Sequence, residues 1–509
     1  MTTVSPPPPS QPGPRPSIVS PLVLAPPEET PPAAAQAILT DDQDRRLLLV
    51  ELRETPGTPS ATIRRRFMVL FHDVFGSGNV PEPQRVGLYY MRCVLNPDEV
   101  RRLLAGPDSI GGKPGERAAA IISHVWPDLV MEAHLDRSRT TIKADAAGRT
   151  YGSSGAGVVW AVLDSGIDDN HPHFSAYNTL GADSVKGLHR DFTIPTPPQQ
   201  QTGPLTDPVG HGTHVAAIIA GCAPDQGDTL RIAWNEPTID GLPQWSSRAL
   251  PDGFSLSGVA PKANLVSLKV LDENNKTVSS AVINALTYVR AVNGYGTNLQ
   301  IHGVNLSLGC AWLPQDTAAG QSPLCREIDL LVGTGVVVVT SAGNAGAGGV
   351  ITGLSRDVYG QLSTITDPGN AATAITVGSV HRYRPHTYGV TFDSSKGPTL
   401  DGRTKPDLVA PGERITSAAT GELAQGVPPL QPQTTDPPNV ARYIEDSGTS
   451  MAAAHVSGVI AALMSAREEY KGQPQMVKKL LTDTATDLGR HVFYQGAGLV
   501  DLMRALSAT

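Results

Sequence analysis

Gly157-Val-Val-Trp-Ala-Val-Leu163 runs without a charged side chain and then breaks into Asp164-Ser-Gly-Ile-Asp168. A strand with one wet face alternates apolar and polar residues, so a continuous apolar run marks a strand covered on both faces. Similar runs are Asn264–Val270, His302–Leu308, Gly335–Thr340 and Ala374–Val377. His214–Gly221, Ser279–Val292, Arg326–Gly333 and Met451–Tyr470 read as helices among them. Strands alternating with helices predict an α/β domain with a mostly parallel sheet. Such sheets bind ligands beyond the C-terminal ends of their strands, so polar residues just past the runs are the candidate site.

Toward the N-terminus the character changes. Residues 1–43 hold twelve prolines, the last at Pro32, and each removes a backbone donor. They predict a disordered Pro-rich tail, either solvated or a ligand for a proline-binding module. Residues 44–136 read as a small α+β domain. Its elements are a strand at Leu47–Leu52, a helix through Ile63, Phe67, Leu70, Phe71 and Val74, and a strand at Val86–Leu95. A short helix follows from Pro97, capped by Asn96, and then strands at Ala118–Trp126 and Leu129–Leu135. This order is compatible with a ferredoxin-like sandwich. Residues 137–150 read as a linker, and 151–509 as the α/β domain.

Composition excludes several classes. Lys+Arg 40 against Asp+Glu 48 gives a net charge of −8 with no basic block, which argues against a nucleic-acid partner. No apolar run, Val456–Met464 included, approaches the roughly 18–20 residues of a membrane span. No basic segment leads into an apolar one near Met1, so a cytoplasmic location is expected. Four cysteines in 509 residues exclude a disulfide-dense scaffold. Cys310 and Cys325 bracket a 14-residue loop, and either a pair or two reduced thiols is compatible with that spacing.

Three polar segments follow the strand runs or open helices. They are Asp164-Ser-Gly-Ile-Asp168, Gly210-His-Gly-Thr-His-Val-Ala216 and Ser447-Gly-Thr-Ser-Met-Ala-Ala-Ala-His-Val-Ser-Gly458. They supply Asp, His and Ser in chain order. A serine hydroxyl is a weak nucleophile until a histidine takes its proton, and an aspartate fixes that histidine's tautomer. Ser450 at a helix N-terminus has backbone N–H groups beside it, suited to a developing oxyanion. Asn344, in the turn Ser341-Ala-Gly-Asn-Ala-Gly346 after a buried strand, is a second oxyanion donor.

Together these four segments resemble the subtilisin-like serine proteases (peptidase S8), over roughly residues 142–506. The resemblance implies a subtilisin-like three-layer α/β domain that hydrolyses peptide bonds of protein or peptide substrates. It implies Asp164 as the orienting acid, His211 as general base and acid, Ser450 as nucleophile and Asn344 as oxyanion donor. It further implies a substrate-binding wall at Ser307, Leu308 and Gly309, faced by Ser341, Ala342 and Gly343. No cofactor is required for catalysis; Asp272-Glu-Asn-Asn275 is either a structural calcium loop or a solvated turn. His211 and His214 share helical spacing, but no third metal ligand accompanies them. His171 and His173 read as surface residues, and His455 as a buried one. The chain departs from the family at Ala454, where proline is usual, and in the long stretch Ala223–Ser257 with Trp234 and Trp245.

Family members often carry an N-terminal propeptide with a ferredoxin-like fold. The resemblance therefore makes residues 44–136 a candidate intramolecular inhibitor, removed by autocleavage within 136–145. An independent binding domain is the alternative. A peptide ligase or cyclase of the same fold, and a non-catalytic regulatory homologue, are the other readings of the whole chain.

Overall fold

The computed structural model describes residues 19, 21–24, 45–55, 57–76, 80–86, 89–106, 116–127, 137–193, 203–223, 231–237, 243–249, 256–310, 316–352, 355–425 and 442–508. The chain divides into two units, Met1–His134 and Leu135–Thr509.

The first unit is built on an antiparallel sheet of order β2-β3-β1-β4, from β1 (Arg46–Leu52), β2 (Gln84–Val86), β3 (Tyr90–Leu95) and β4 (Ile122–Pro127). Helix α1 (Ser60–Phe75) follows β1, and α2 (Pro97–Ala105) and α3 (Glu116–Ile121) lie between β3 and β4. Ile63, Phe67, Leu70, Phe71 and Phe75 recur at helical spacing and are the buried face of α1. They pack with Leu48, Val50 and Leu52, the alternate residues of β1. A capping box starts α2: Asn96 Oδ1 accepts from the Glu99 N–H, and Glu99 Oε2 accepts from the Asn96 N–H.

Three sequence readings are corrected in this unit. Ala118–Ile121 is the last part of α3 and not strand, as the high helix propensity of its alanines favours. Val86–Leu95 is two strands, β2 and β3, paired with each other. Within the tail, Val19 bridges Val125 and Val23 is buried, so this apolar piece is packed. The rest of residues 1–43 and the strand read at Leu129–Leu135 lie outside the described residues.

The second unit contains a seven-stranded sheet. Its strands are β5 (Val159–Asp164), β6 (Arg190–Asp191), β9 (Asn264–Lys269), β10 (Gly303–Leu306), β11 (Val337–Ser341), β14 (Ile375–His381) and β15 (Leu408–Glu413). The order is β15-β14-β11-β10-β5-β9-β6, and all these pairings are parallel. The apolar run of β5 divides between two cores. Trp160 and Val162 join one with α6 (His211–Ile219) and α9 (Thr449–Ala466). Val159, Ala161 and Leu163 join the other with α7 (Ser279–Val292) and α8 (Pro323–Val332). Period-two alternation with both faces apolar thus gives three layers, helix–sheet–helix. Gly303 of β10 is tight against this core, because a Cβ there would lie 2.1 Å from the Trp160 ring.

Helix α9 is long and apolar enough to cross a membrane, with mean hydropathy 1.4 over 18 residues, but 83% of it is buried inside the unit. Among the described residues two smaller sheets accompany the seven-stranded one: the antiparallel pair β12 (Ala347–Thr352) and β13 (Ser355–Gly360), and β16-β17-β7-β8, which joins β16 (Ile415–Ala418) and β17 (Tyr443–Asp446) to the hairpin of β7 (Arg231–Pro237) and β8 (Pro243–Ala249). That hairpin, with Ala223, Leu256 and Ser257, is the described part of the stretch Ala223–Ser257.

Residues 137–150, read as a linker, are instead folded into this unit. They form α4 (Arg137–Thr141) and most of α5 (Ala144–Tyr151). Ile142, Ala144 and Ala147 are buried in the core, and the Ile142 carbonyl accepts from the Leu502 N–H. Small apolar residues every few positions make this short segment a core element.

Candidate active site

The chain leaves β5 for β9 on one side and re-enters at β10 on the other, which opens a crevice at the strands' C-terminal ends. Asp164 is the last residue of β5 and is 1% exposed. Its Oδ1 accepts from the Ser165 N–H at 2.8 Å and from His211 Nδ1–H at 2.8 Å. A carboxylate cannot donate, so the His211 proton sits on Nδ1 and Nε2 is left as acceptor. Burial opposes protonation of His211. The charge of Asp164, its hydrogen bond, and the more distant Asp446 and Asp207 outweigh that, and raise the imidazole to about 9.

His211 is the first residue of α6, reached through Gly210 at φ 95, in the left-handed region where glycine is favoured. Asp207 fixes this entry. Its carboxylate accepts from the Gly210 and Thr213 N–H groups and from the Ser165 and Thr213 hydroxyls. Ser165 Oγ accepts in turn from the Gly212 N–H. Sequence reading missed Asp207 and Ser165. The available signal was an acid four residues ahead of a helix start whose N–H groups need acceptors. Asp168 supports the loop, accepting from Thr420 Oγ1 and the Asn170 N–H.

Ser450 is the second residue of α9, where backbone donors lack intrahelical partners. Its hydroxyl donates to the Ser307 carbonyl at 3.2 Å, and Ser307 Oγ donates to the Ser450 carbonyl at 3.0 Å. Behind them Asn305 receives Ser457 Oγ and donates to Ser307 Oγ, both at 2.9 Å, tying α9 to the end of β10. Asn344 Oδ1 accepts from both the N–H and the hydroxyl of Thr449 at 3.0 Å. That turns its Nδ2 away from Thr449 as a spare donor beside the helix N-terminus.

His211, Ser450 and Asn344 line one cavity of about 520 Å³. Ser307, Leu308 and Gly309 line it too, with Leu271, Val282 and Leu324 as apolar surface. Ser341, Ala342 and Gly343 are not among its lining residues. Their main chain is engaged elsewhere: the Ala342 carbonyl accepts from Thr366 and the Gly343 carbonyl from Ser395. Gly343 N–H donates to Thr449 Oγ1, so the segment backs Asn344 and the nucleophile loop.

A model of the subtilase family matches residues 155–499. The chain belongs to the subtilase family. It is a subtilisin-like serine endopeptidase, a hydrolase. This subtilase is 29% identical to subtilisin E of Bacillus subtilis (strain 168) over 364 residues, 72% of this chain and 69% of that protein. Serine protease AprX of the same organism is 28% identical over 354 residues, 68% of this chain and 66% of that one. Pyrolysin of Pyrococcus furiosus is 31% identical over 324 residues, 58% of this chain and 21% of pyrolysin.

Among the described residues of the subtilase, no group of three or more His, Cys, Asp or Glu is placed to hold a metal ion. Asp272 anchors a turn, its Oδ1 accepting from the N–H groups of Asn274 and Lys276. Cys310 and Cys325 are unpaired. His171 and His173 are not surface residues. Both are buried, donating to the Arg442 and Ala217 carbonyls and packed by Tyr443 and Phe174. His455 is buried, with its Nδ1 on the Met451 carbonyl.

Proposed function

We propose that the subtilase cleaves peptide bonds through Ser450, His211 and Asp164, with Asn344 in the oxyanion site. The observation that carries this is the 2.8 Å Asp164–His211 bond beside a cavity shared by His211, Ser450 and Asn344. Ser450 Oγ attacks the scissile carbonyl carbon as its proton passes to His211 Nε2. The carbonyl π electrons move to oxygen, which receives Asn344 Nδ2–H and the Ser450 N–H. Collapse breaks the C–N bond, His211 protonates the leaving amine, and an acyl-enzyme remains. Water activated by His211 then releases the acid and restores Ser450. Ser450 Oγ reaches this geometry by rotating from the Ser307 carbonyl toward His211, and catalytic contacts commonly tighten only with substrate present.

The N-terminal unit acts, in this reading, as an intramolecular inhibitor removed by autocleavage. Its β-α-β-β-α-α-β order, ferredoxin-like apart from the additional short helix α3, and its antiparallel sheet of order β2-β3-β1-β4 support that assignment. The burial of Ile142 and Ala144 favours a cut toward the start of the 136–145 window, since a cut after Ile142 would take that buried side chain out of the core. The test is the intact mass of wild type and Ser450→Ala incubated side by side, with fluorophosphonate labelling. Labelling of Ser450 and a fragment lost from wild type alone are expected. A folded wild type that neither labels nor cleaves a peptide removes the catalytic assignment; labelling without self-cleavage removes only the processing.

A further inference from the structure

Lys276 stands apart in the cavity that holds His211 and Ser450. Among the described residues lining it, Lys276 is the fixed positive charge and none carries a carboxylate. Its backbone is pinned at both polar groups: the Lys276 N–H donates to Asp272 Oδ1, and the Lys276 carbonyl accepts from the Asp272 N–H. Asn275, in the left-handed region at φ 58, makes the turn that closes this loop. Asp272 Oδ1 is thus taken by turn N–H groups, and neither Asp272 nor Glu273 lines the cavity. No ion pair to Lys276 occurs among the described residues, and the side chain is exposed. The rest of the cavity lining near the loop is uncharged, from Asn275, Thr277 and Ser279 and the apolar Leu271 and Val282. A cleft with one unpaired cation on its rim and no acid discriminates substrates by charge more than it binds them tightly.

We propose that Lys276 is a specificity-determining residue that selects substrates with an Asp or Glu at one fixed position from the scissile bond. The inference rests on the endopeptidase reading of Ser450. A substrate carboxylate near the exposed ammonium forms a rim ion pair, which raises selection for acidic residues about two- to fivefold. A lysine or arginine at the same position is repelled.

The test digests a proteome-derived peptide library with the active wild-type chain and with K276Q and K276E, in 50 mM and 500 mM NaCl. Cut sites are read by mass spectrometry. Wild type is expected to enrich Asp and Glu at one position about two- to fivefold at low salt, and less at high salt. K276Q loses the enrichment, and K276E shifts it to Lys and Arg at that same position. Because each library reports its own ratio of residues, a variant of lower overall rate still gives the readout. Cuts without acidic enrichment in wild type, or an enrichment that K276Q keeps, overturn the inference. No cuts by wild type would overturn the reading of Ser450 itself, and this inference with it.

Discussion

Asp164 offers His211 one buried oxygen, and the consequence is a proton held more tightly than on a free imidazole. Only the neutral ring can take the proton of Ser450, so kcat/KM must rise with pH through the His211 titration. Burial favours the neutral ring, yet the Asp164 charge and hydrogen bond prevail and raise the group to about 9. The acid limb of kcat/KM on a chromogenic peptide is therefore expected between pH 6.5 and 9, and a limb centred at or below 6.5 would contradict the geometry. Asp164→Asn leaves burial in place and removes the charge. It should move the limb below 6.5 and lower kcat by about 10⁴-fold, the loss typical of that triad member. Asn344→Ala tests a different step. Its Oδ1 is fixed by Thr449 in the resting site, so the missing Nδ2 matters only once the oxyanion forms. A fall in kcat of about 10²–10³ is expected, a magnitude carried over from subtilisin's own oxyanion asparagine, with KM nearly constant. A change confined to KM would instead mean that Asn344 binds ground-state substrate.

Elements differ in how openly the sequence declared them. The largely apolar runs at β5, β9, β10 and β11 were legible because both faces of each strand are covered, and the polar residues beyond them mark the crevice. The cap at Asn96 was legible because an asparagine directly before Pro97 marks a helix start. Other features depend on partners distant in sequence. His171 and His173 look like loop residues until Tyr443 covers them, and Ile142 and Ala147 gain their burial from α9 and α11 (Leu502–Ser507, after α10, Pro474–Thr484). Asp207 was hidden because its four donors come from Ser165 and the start of α6. Helix α9 carries a testable case of such distant packing. Gly458 sits where a Cβ would lie 2.6 Å from Val259 Cβ and 3.3 Å from the Ile219 carbonyl. Alanine in a helix interior gains about 1 kcal/mol over glycine. Overpacking costs about 1–3 kcal/mol, and neither contact atom is the free end of a flexible chain. Gly458→Ala should therefore lower stability in thermal unfolding of the Ser450→Ala background, and a rise in Tm would show that Val259 yields freely.

The unit Leu135–Thr509 as a whole has its stability tied to pH through histidines of opposite sign. Burial pushes His173 down to about 3, and His214 and His455 to about 4. Each is neutral when folded and protonates near 6.5 when unfolded. Their stabilisation is therefore complete above pH 6.5 and lost as pH falls toward the folded values. By pH 5 each has given up about 2 kcal/mol. His211 runs the other way. Its folded value of about 9 lies above the unfolded one, so its contribution is complete below pH 6.5 and lost as pH rises through 9. The two effects bracket a maximum. His211 alone adds about 3 kcal/mol as pH is lowered from 9 to 6.5, and toward pH 5 the buried histidines outweigh it. Denaturant midpoints of Ser450→Ala, which cannot digest itself, measure this curve between pH 9 and 5. His455→Gln keeps a donor for the Met451 carbonyl but removes one titration, so it should flatten the acid limb without moving the alkaline one. Asp164→Asn should remove the alkaline limb and, because burial then holds His211 below 6.5, deepen the acid one. A curve that is flat from 6.5 to 5, or an alkaline limb that survives in Asp164→Asn, would contradict the assignment of the two limbs to these groups.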